Sequence, residues 1–394
     1  MLSQFRSKTE AQKLHRHFFV SNFDTGILMI FIPLQTWAIS NKMLSIAYVF
    51  VIPYFIDIVL DYWFSKINDR LNRKYLMIIG NIMSGIVLCF YGSSKSVPIL
   101  ILLVTLKSIF SKLYTTSMDA AIRSINSKEE YFDFIAKYNL MANYGAAVGG
   151  QLFMTSFFIF KSYAHVFFAA GIIEICSTFF LFSLNHRMNR DQDSKQKILL
   201  VANIKNAITS FPIIISILFS AALAMFQNRM LIFTYKIYKI DIIFVGAILF
   251  IVYAVSAIVF YRIRKFVKKI RPLVTIIIAS AIMIISNITI MLISDVYVFV
   301  LNWFIINLVL TISLTTLDDW YNKKTSVNLA TNTSMMRICR VIATILGTFI
   351  FSTIIDQGYF RQSFIITVFV FFITIVTCFI MLWGQRQRVS EPVK

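Results

Sequence analysis

The sequence predicts an all-α membrane protein in which twelve transmembrane helices form two pseudo-symmetric six-helix bundles. Three observations support this fold class. First, the 394 residues are 58% hydrophobic and only 14% charged, a balance too apolar for a soluble chain of this length. Second, the apolar residues fall into runs, most of which are long enough to cross a hydrocarbon core of about 30 Å. Third, Lys and Arg concentrate in alternate loops, as the positive-inside rule predicts.

The N-terminal half contains the first six predicted spans. Residues 1–16 are polar and basic, so they are expected to remain in the cytoplasm. The first apolar run is too long for the core of a signal peptide and is interpreted as a helix. The six spans cover about residues 17–38, 46–64, 75–91, 98–123, 138–160 and 163–184.

The C-terminal half repeats this organisation. Residues 186–205 are the longest polar interruption and are interpreted as a cytoplasmic linker between bundles at 1–185 and 206–394. An even number of spans then places both termini of this multi-pass protein in the cytoplasm. We also expect the protein to be a monomer and to lie in the cell (plasma) membrane. The remaining spans cover about residues 210–233, 241–261, 272–293, 296–317, 330–355 and 363–383.

The composition also excludes several classes of function. A net charge of +20 would suggest nucleic acid as the partner of a soluble chain. Here about 27 of the 38 Lys and Arg fall in the predicted inner segments, so topology accounts for the charge. The four Cys and four His are scattered and form no metal-type, redox-type or catalytic spacing. We therefore expect neither an enzyme nor a metal, a cofactor or a nucleic-acid partner.

The loop after the second predicted span carries a specific order of residues: Ser65-x-x-x-Asp69-Arg70-x-Asn72-Arg73-Lys74. This order resembles the loop between helices 2 and 3 of the major facilitator superfamily, whose pattern is Gly-x-x-x-Asp-Arg-x-Gly-Arg-Arg/Lys. Ser and Asn replace the two glycines. The resemblance implies a gating loop in which the Asp69 side chain accepts hydrogen bonds at the cytoplasmic end of a neighbouring helix and latches the inner gate. The matching charged positions are Asp69, Arg70, Arg73 and Lys74.

The two halves echo one another at an offset near 198 residues. Arg70 falls on Lys268, and Gly149 falls on Gly347. These matches suggest a duplicated six-helix unit. Parallel repeats of this kind build transporters whose halves rock about a central site. The resemblance to the superfamily therefore extends over the whole chain.

A run of small residues in the fifth span gives a second motif. The order Gly145-Ala-Ala-Val-Gly149-Gly150 resembles the Gly-Pro-x-x-Gly-Gly core of antiporter members of the superfamily, with Ala146 in place of proline. Small residues at this spacing let two helices approach closely, so the run is also a helix-packing motif. The resemblance implies export.

Ionisable side chains inside the spans are the candidates for coupling and transport, because charge in hydrocarbon is costly and usually serves a pathway. Asp57 lies about halfway along the second span and is the predicted proton carrier. Asp61 and Asp119 lie nearer the inner interface, where pairing with a neighbouring basic residue is an alternative role. Glu174 in the sixth span receives no role. The candidates are Asp24, Asp57, Asp61, Lys107, Lys112, Thr116, Asp119 and Arg229.

Some of these residues support a second resemblance. An acid in span 1, two acids four apart in span 2 and a Thr-x-x-Asp in span 4 are similar to sodium-coupled symporters of the glycoside–pentoside–hexuronide family. That resemblance implies that Asp57, Asp61 and Thr116 hold a cation, whose ligands would be oxygens. It also implies that Asp24 and Asp119 bind sugar hydroxyls.

Three functional hypotheses follow. The first is a secondary transporter that couples export of a small amphipathic compound to protons by alternating access. The second is a sodium- or proton-coupled symporter of a sugar-like solute. The third is a membrane receptor or immunity protein that keeps the scaffold without transporting, which the charges retained in the spans argue against. The first two imply a small-molecule substrate, a proton or sodium ion and the lipid bilayer as partners.

Overall fold

The computed structural model describes residues 2–125, 131–184, 211–232, 238, 240, 242–324, 329–359 and 362–390, and these residues are almost entirely helical. The N-terminal helices are α1 (Leu2–Ser21), α2 (Phe23–Ser40), α3 (Met43–Arg70), α4 (Arg73–Cys89), α5 (Val97–Ile125), α6 (Tyr131–Phe160) and α7 (Tyr163–Phe182). The C-terminal helices are α8 (Phe211–Ile232), α9 (Ile242–Phe250), α10 (Ser256–Val267), α11 (Pro272–Leu292), α12 (Val296–Lys324), α13 (Leu329–Asp356) and α14 (Gln362–Ser390). A 3₁₀ turn, Tyr91–Ser93, follows α4, and a π-helical turn, Ile251–Val255, joins α9 to α10.

Ten of the twelve predicted spans correspond to helices that are long and apolar enough to cross a membrane among the described residues. The fifth predicted span corresponds to α6, which carries several polar side chains, and the seventh to α8, whose apolar stretch Pro212–Ala224 is shorter than a span. The structure is thus an all-helical, multi-span membrane protein, while the count of twelve remains a prediction. The predicted linker, residues 186–205, lies outside the described residues.

The first span is built from two helices rather than one. The segment Gln12–Ser40 includes the end of α1 and all of α2, with a break at Asn22 (φ −82°, ψ 2°). The Asn22 side-chain amide donates to the Phe18 carbonyl at 2.8 Å, and the Thr25 hydroxyl donates to the Asn22 side-chain oxygen at 3.2 Å. An Asn side chain can compete with the helix for backbone partners, which explains the local break. The break places Asp24 in the first turn of α2.

The outer surfaces of the helices are apolar, as expected for contact with lipid. Phe179 is 75% exposed, Ile285 65% and Phe369 61%. Aromatic residues near helix ends, such as Tyr297 and Trp383, are also exposed, which is typical of the membrane–water interface. Several ionisable side chains, among them Asp24, Lys107 and Glu174, are buried instead. Ionisable groups inside a membrane bundle are candidates for a functional role.

The chain divides into two compact units, residues 1–197 with 231–258 and residues 198–230 with 259–394. In the first unit, α4 lies between α5 and α7, and α6 packs against α1, α2 and α9. In the second unit, α11 packs against α12 and α14. Buried apolar side chains from α1, α4, α5, α6 and α7 form a hydrophobic core cluster in the first unit, which includes Leu14, Phe18, Met77, Met118, Phe134 and Leu181.

One close helix contact occurs in both units at the offset found in the sequence. A Cβ on Gly149 would lie 2.5 Å from the backbone of Phe23, and one on Gly347 would lie 2.4 Å from the carbonyl oxygen of Ala221. Gly347 lies 198 residues after Gly149, and Ala221 lies 198 residues after Phe23. Each glycine therefore brings its helix against the backbone of an earlier helix in the same unit, α2 in one case and α8 in the other.

Single cysteines placed in a cysteine-free background test the topology. Lys42, Lys95 and Lys161 are exposed at helix ends, and cysteines there are expected to react with an impermeant thiol reagent added to intact cells. A cysteine at Lys195, in the predicted linker, is expected to react only after the membrane is opened. Labelling of position 195 in intact cells would contradict the arrangement with both termini inside.

Candidate functional site

A cluster of charged side chains lies inside the first unit, around the ammonium group of Lys107. Lys107 Nζ donates to Asp24 Oδ2 at 2.9 Å, to Glu174 Oε1 at 3.1 Å and to Ser84 Oγ at 2.9 Å. These partners come from α2, α7 and α4, whereas Lys107 lies on α5. All four residues are buried, with at most 8% of each exposed. We call this group the Lys107 cluster.

Two glycines of α4 explain how the three helices come close enough to form the cluster. A Cβ on Gly80 would lie 2.8 Å from the backbone of α5 at Phe110, and one on Gly85 would lie 2.8 Å from the Gly171 carbonyl oxygen of α7. Both contacts require the absence of a side chain, which allows close helix approach. The short side chain of Ser84 lies between these two glycines in sequence, where it contacts Lys107 and also Ser111 Oγ at 2.9 Å.

Asn81 fixes the position of the helix that carries Glu174. Its side-chain amide donates to the Glu174 carbonyl oxygen at 2.7 Å, to Ser177 Oγ at 3.0 Å and to Thr178 Oγ1 at 2.8 Å. Asn81 is itself buried. An amide of this kind stabilises a helix pair in a membrane because its alternative is an unsatisfied polar group in an apolar interior.

The charges of the Lys107 cluster do not balance. Lys107 carries one positive charge, and Asp24 and Glu174 carry two negative charges when both are ionised, which leaves a net charge of −1. Glu174 Oε2 has no hydrogen-bond partner among the described residues, although it is buried. A buried net charge is unfavourable unless it is compensated. Binding of one proton makes the cluster neutral, so the arrangement can hold a proton.

A second polar contact links α1 to α5 and α7 in the same unit. His17 is fully buried, with Nδ1 3.0 Å from the Ser177 carbonyl oxygen and Nε2 2.7 Å from the Tyr114 hydroxyl. A carbonyl oxygen only accepts, so Nδ1 carries the hydrogen, and in a neutral ring Nε2 accepts from the tyrosine. The sequence reasoning had assigned no site to this histidine.

The structure brings together two of the predicted coupling residues, Asp24 and Lys107, and adds Glu174 and Ser84 to them. Asp57 is not among the groups that contact the Lys107 ammonium; it accepts a hydrogen bond from Ser108 at 2.7 Å. Ser108 follows Lys107 in the sequence and therefore points about 100° further round α5. Asp24 and Asp57 therefore contact different faces of α5.

The other predicted coupling residues are described only in part. Lys112 is buried, and its backbone carbonyl accepts from the Thr116 hydroxyl one turn along α5. The side chains of Asp61, Asp119 and Arg229 lie outside the described part of the structure, so their roles stay predictions. In the second unit, Arg340 of α13 pairs with Asp318 of α12 at 2.8 Å and donates to Ser216 of α8.

The gating loop is described in part. The side chains of Asp69 and Arg70 lie outside the described residues, and Arg73 is buried. Asn72, which replaces a glycine of the family pattern, has a φ of −70° and caps α4 by accepting from the Lys74 amide at 3.0 Å. Helix capping is a favoured use of Asn and needs no left-handed backbone.

Lys74 binds the end of a different helix. Its ammonium donates to the carbonyl oxygen of Phe182 at 2.8 Å and to that of Leu184. Lys13 of α1 donates to the Ser183 carbonyl oxygen at 2.6 Å. Both lysines therefore donate hydrogen bonds to carbonyl oxygens that have no donor within the helix. Both also place positive charge at the negative end of α7.

The double variant Lys13→Met/Lys74→Met is expected to loosen the end of α7. Each lysine at a helix C-terminus contributes about 0.3–1 kcal/mol, so losing the pair should lower the free energy of unfolding by about 0.6–2 kcal/mol. Thermal unfolding of the purified protein measures the loss, and hydrogen exchange should rise at Phe182 to Leu184. The matched control Lys13→Arg/Lys74→Arg keeps both charges, and equal stability of the two double variants would contradict the role.

The glycine motif of the fifth span lies against the first span. A Cβ on Gly145 would lie 2.1 Å from the Phe19 carbonyl oxygen, and one on Gly149 would be similarly close to Phe23. On the facing side, a Cβ on Gly26 would lie 2.0 Å from the Ala146 carbonyl oxygen. A Cβ on Gly150 would meet only the tip of a side chain, at 3.4 Å. The helices thus touch backbone to backbone at three of these four glycines.

Comparisons with known proteins agree with this architecture. The sequence profile described as Major Facilitator Superfamily matches residues 18–334. The fold is similar to that of the human organic anion transporter MFSD10 (TETRAN), with a TM-score of 0.77 and 10% identity over 94% of this chain and 99% of that one. No relative among curated proteins matches the sequence.

Two further solved structures are similar. The nucleoside transporter NupG has a TM-score of 0.69 and 12% identity over 97% of this chain and 98% of that one. A bacterial homolog of the human lysosomal transporter Spinster, in an inward-facing and unoccupied conformation, has a TM-score of 0.69 and 13% identity. That comparison covers 95% of this chain and 96% of the homolog. At these identities the likeness concerns the fold.

Proposed function

The chain belongs to the major facilitator superfamily, and from that premise we propose that it is a proton-coupled secondary transporter that exports a small amphipathic compound by alternating access. Membership of this superfamily indicates a transporter rather than an enzyme. The single observation that carries the proposal is the Lys107 cluster, in which two carboxylates share one ammonium inside a membrane bundle. One acid alone would neutralise Lys107, so the second acid gives the cluster a negative charge that a proton can balance.

The cluster provides a means of coupling. With one proton bound it is neutral and compatible with an apolar interior; without that proton it carries a net charge of −1 and is better accommodated where water or a counter-ion reaches it. Because its members come from α2, α4, α5 and α7, a change in charge acts on four helices together. Proton binding then biases the equilibrium between inward-open and outward-open states, and substrate binding biases it reciprocally.

The direction and the kind of substrate rest on the sequence. The glycine run of α6 resembles that of antiporter members, which supports export. The interior of the spans is mainly apolar with a few charged groups, which suits an amphipathic compound. The similar solved structures include an organic anion transporter and a nucleoside transporter, so the test should include anionic, cationic and uncharged compounds. We place the protein in the plasma membrane, as a monomer with both termini in the cytoplasm.

One observation keeps the symporter as a second candidate. Asp57 accepts from Ser108 and does not contact Lys107, so this carboxylate of α3 can act separately from the cluster. Asp57 and Asp61 are four residues apart and share a face of α3. A cation site on that face would couple transport to sodium through residues other than the Lys107 cluster.

Proteoliposomes containing the full chain distinguish the two candidates. A panel of labelled amphipathic anions, cations and uncharged compounds is first screened for thermal stabilisation of the protein, and its binders are used for flux. Export coupled to protons predicts uphill flux under an imposed pH gradient and none under a sodium gradient. Asp24→Asn should keep exchange between equal pools yet lose uphill flux, and Asp57→Asn should retain it. Uphill flux that follows sodium and disappears in Asp57→Asn would favour the symporter.

A further inference from the structure

We infer that Glu174 is the group that binds the coupling proton, whereas Asp24 remains ionised as the permanent partner of Lys107. This inference rests on the proposed proton coupling and names the residue that binds the proton. Sequence reasoning left Glu174 without a role, because the sixth span is expected at the periphery of a bundle. The two acids share one cation, and three differences in their surroundings distinguish them.

Hydrogen bonding is the first difference. Asp24 Oδ2 accepts from Lys107 at 2.9 Å, and Asp24 Oδ1 has a weak contact with the Thr25 hydroxyl at 3.4 Å. Glu174 Oε1 accepts from Lys107 at the longer distance of 3.1 Å, while Oε2 has no hydrogen-bond partner among the residues that the structure describes. Donors to a carboxylate favour its ionised form. An oxygen without a donor is the place where a carboxyl hydrogen fits.

Position in the helix is the second difference. Asp24 lies in the first turn of α2, which begins after the break at Asn22. The start of a helix presents backbone N–H groups and the positive end of the helix dipole, so negative charge is stabilised there. Glu174 lies in the interior of α7, where the backbone amides are engaged in helical hydrogen bonds. Of the two acids, only Asp24 therefore has its ionised form stabilised by its own helix.

Burial is the third difference. The side chain of Glu174 is 5% exposed and that of Asp24 is 10% exposed, so ionised Glu174 is the more poorly hydrated of the two. The two carboxylates also repel each other across the shared ammonium, which favours the state in which one of them is protonated. If Asp24 is held ionised by Lys107 and the helix start, neutral Glu174 is the state that removes the net charge.

The other titratable groups around Glu174 do not supply a second cation. His17 of α1 donates to a carbonyl of α7 and accepts from Tyr114 in its neutral form. No charged group of α6 contacts Glu174 among the described residues. The groups facing it from the elements packed around α7 are Asp24 of α2, Cys89 of α4, Tyr91 of the 3₁₀ turn, and Lys107 and Tyr114 of α5.

Isotope labelling tests the assignment without changing the protein. Substituting either acid makes the cluster neutral, so single variants remove the bound proton in both cases and do not identify its site. Infrared difference spectra of the full chain in lipid, recorded across an acid-to-alkaline titration, should contain the C=O stretch of a buried carboxylic acid. That band should shift when glutamate carries ¹³C in its side-chain carboxyl group and remain in place when aspartate is labelled instead.

Glu174 is the only glutamate within a predicted span, since the others are Glu10, Glu129, Glu130 and Glu391 in polar segments. The labelling identifies which acid carries the proton, and the Glu174→Gln variant shows that the band arises from the Lys107 cluster: it keeps the size of the side chain and an oxygen acceptor for Lys107. It should lose the band and take up about one proton fewer per chain on acidification. A band that shifts with labelled aspartate would overturn the inference and leave proton coupling intact. Absence of any buried carboxylic-acid band would overturn both.

Discussion

Replacing Lys107 by Met is expected to abolish uphill transport and to lower the free energy of unfolding by about 3–5 kcal/mol. The substitution removes the only cation that contacts Asp24 and Glu174 within the cluster and leaves two carboxylates buried together. Removing one partner of a buried ion pair costs this much because the remaining charge loses its compensation. Thermal unfolding in detergent and flux in proteoliposomes measure the two effects separately.

A triple variant separates the structural part of this effect from the functional part. Lys107→Met combined with Asp24→Asn and Glu174→Gln removes every charge of the cluster at nearly constant volume. Replacing a whole buried ionic group by neutral side chains is often close to neutral for stability, so most of the lost stability should return. Transport should not return, because no group remains to bind a proton. Wild-type uphill flux in Lys107→Met would contradict the role of the cluster in coupling.

The second large effect is expected from Gly145→Ala. The added methyl group would lie 2.1 Å from the Phe19 carbonyl oxygen, so α6 and α1 must separate for it to fit. Small residues let helices approach closely in lipid, and the van der Waals packing that results helps to hold the helices together. Overpacking costs about 1–3 kcal/mol in a well-packed core, and a backbone contact leaves little room for relaxation. A clear fall in the yield of folded protein and in its unfolding temperature is therefore expected.

Gly150→Ala is the matched control, from the same motif and the same helix. Its added methyl group would meet only the end of the Ile30 side chain at 3.4 Å, which is an ordinary contact. Ala also forms helix more readily than Gly, by about 1 kcal/mol. The control should therefore be as stable as the wild type or slightly more stable. If both variants have the same unfolding temperature, the glycine run is not a backbone-to-backbone contact.

The fold could be predicted from the sequence because its determinants are local. Hydropathy and span length identify most membrane helices, and the charged loop and the glycine run carry the resemblance to the superfamily. The two helices that fall outside the ten long apolar ones, α6 and α8, are those in which polar residues or a short apolar stretch weaken the local signal. The break at Asn22 was not predicted, since it depends on one side chain competing for a backbone carbonyl.

The site could be predicted only in part because it depends on which helices are neighbours. Asp24 and Lys107 were identified as ionisable residues in spans, yet their pairing across α2 and α5 has no sequence signal. Glu174 received no role for the same reason, because its contact with Lys107 becomes visible only when α7 is placed beside α5. The glycines at 80 and 85, which bring α5 and α7 to α4, are informative only when the facing backbone is known.

The lysines that hold the end of α7 have a consequence for the order in which the protein is made. Lys13 and Lys74 precede α7 in the chain, so the ribosome has delivered both donors before the carbonyl groups of Phe182, Ser183 and Leu184 are synthesised. Among the described residues, the donors to this end of the last helix of the N-terminal half are therefore synthesised before their acceptors. Domains generally fold as units during translation, N-terminal part first. We therefore expect the contacts at this end of α7 to form before the second half of the chain is synthesised.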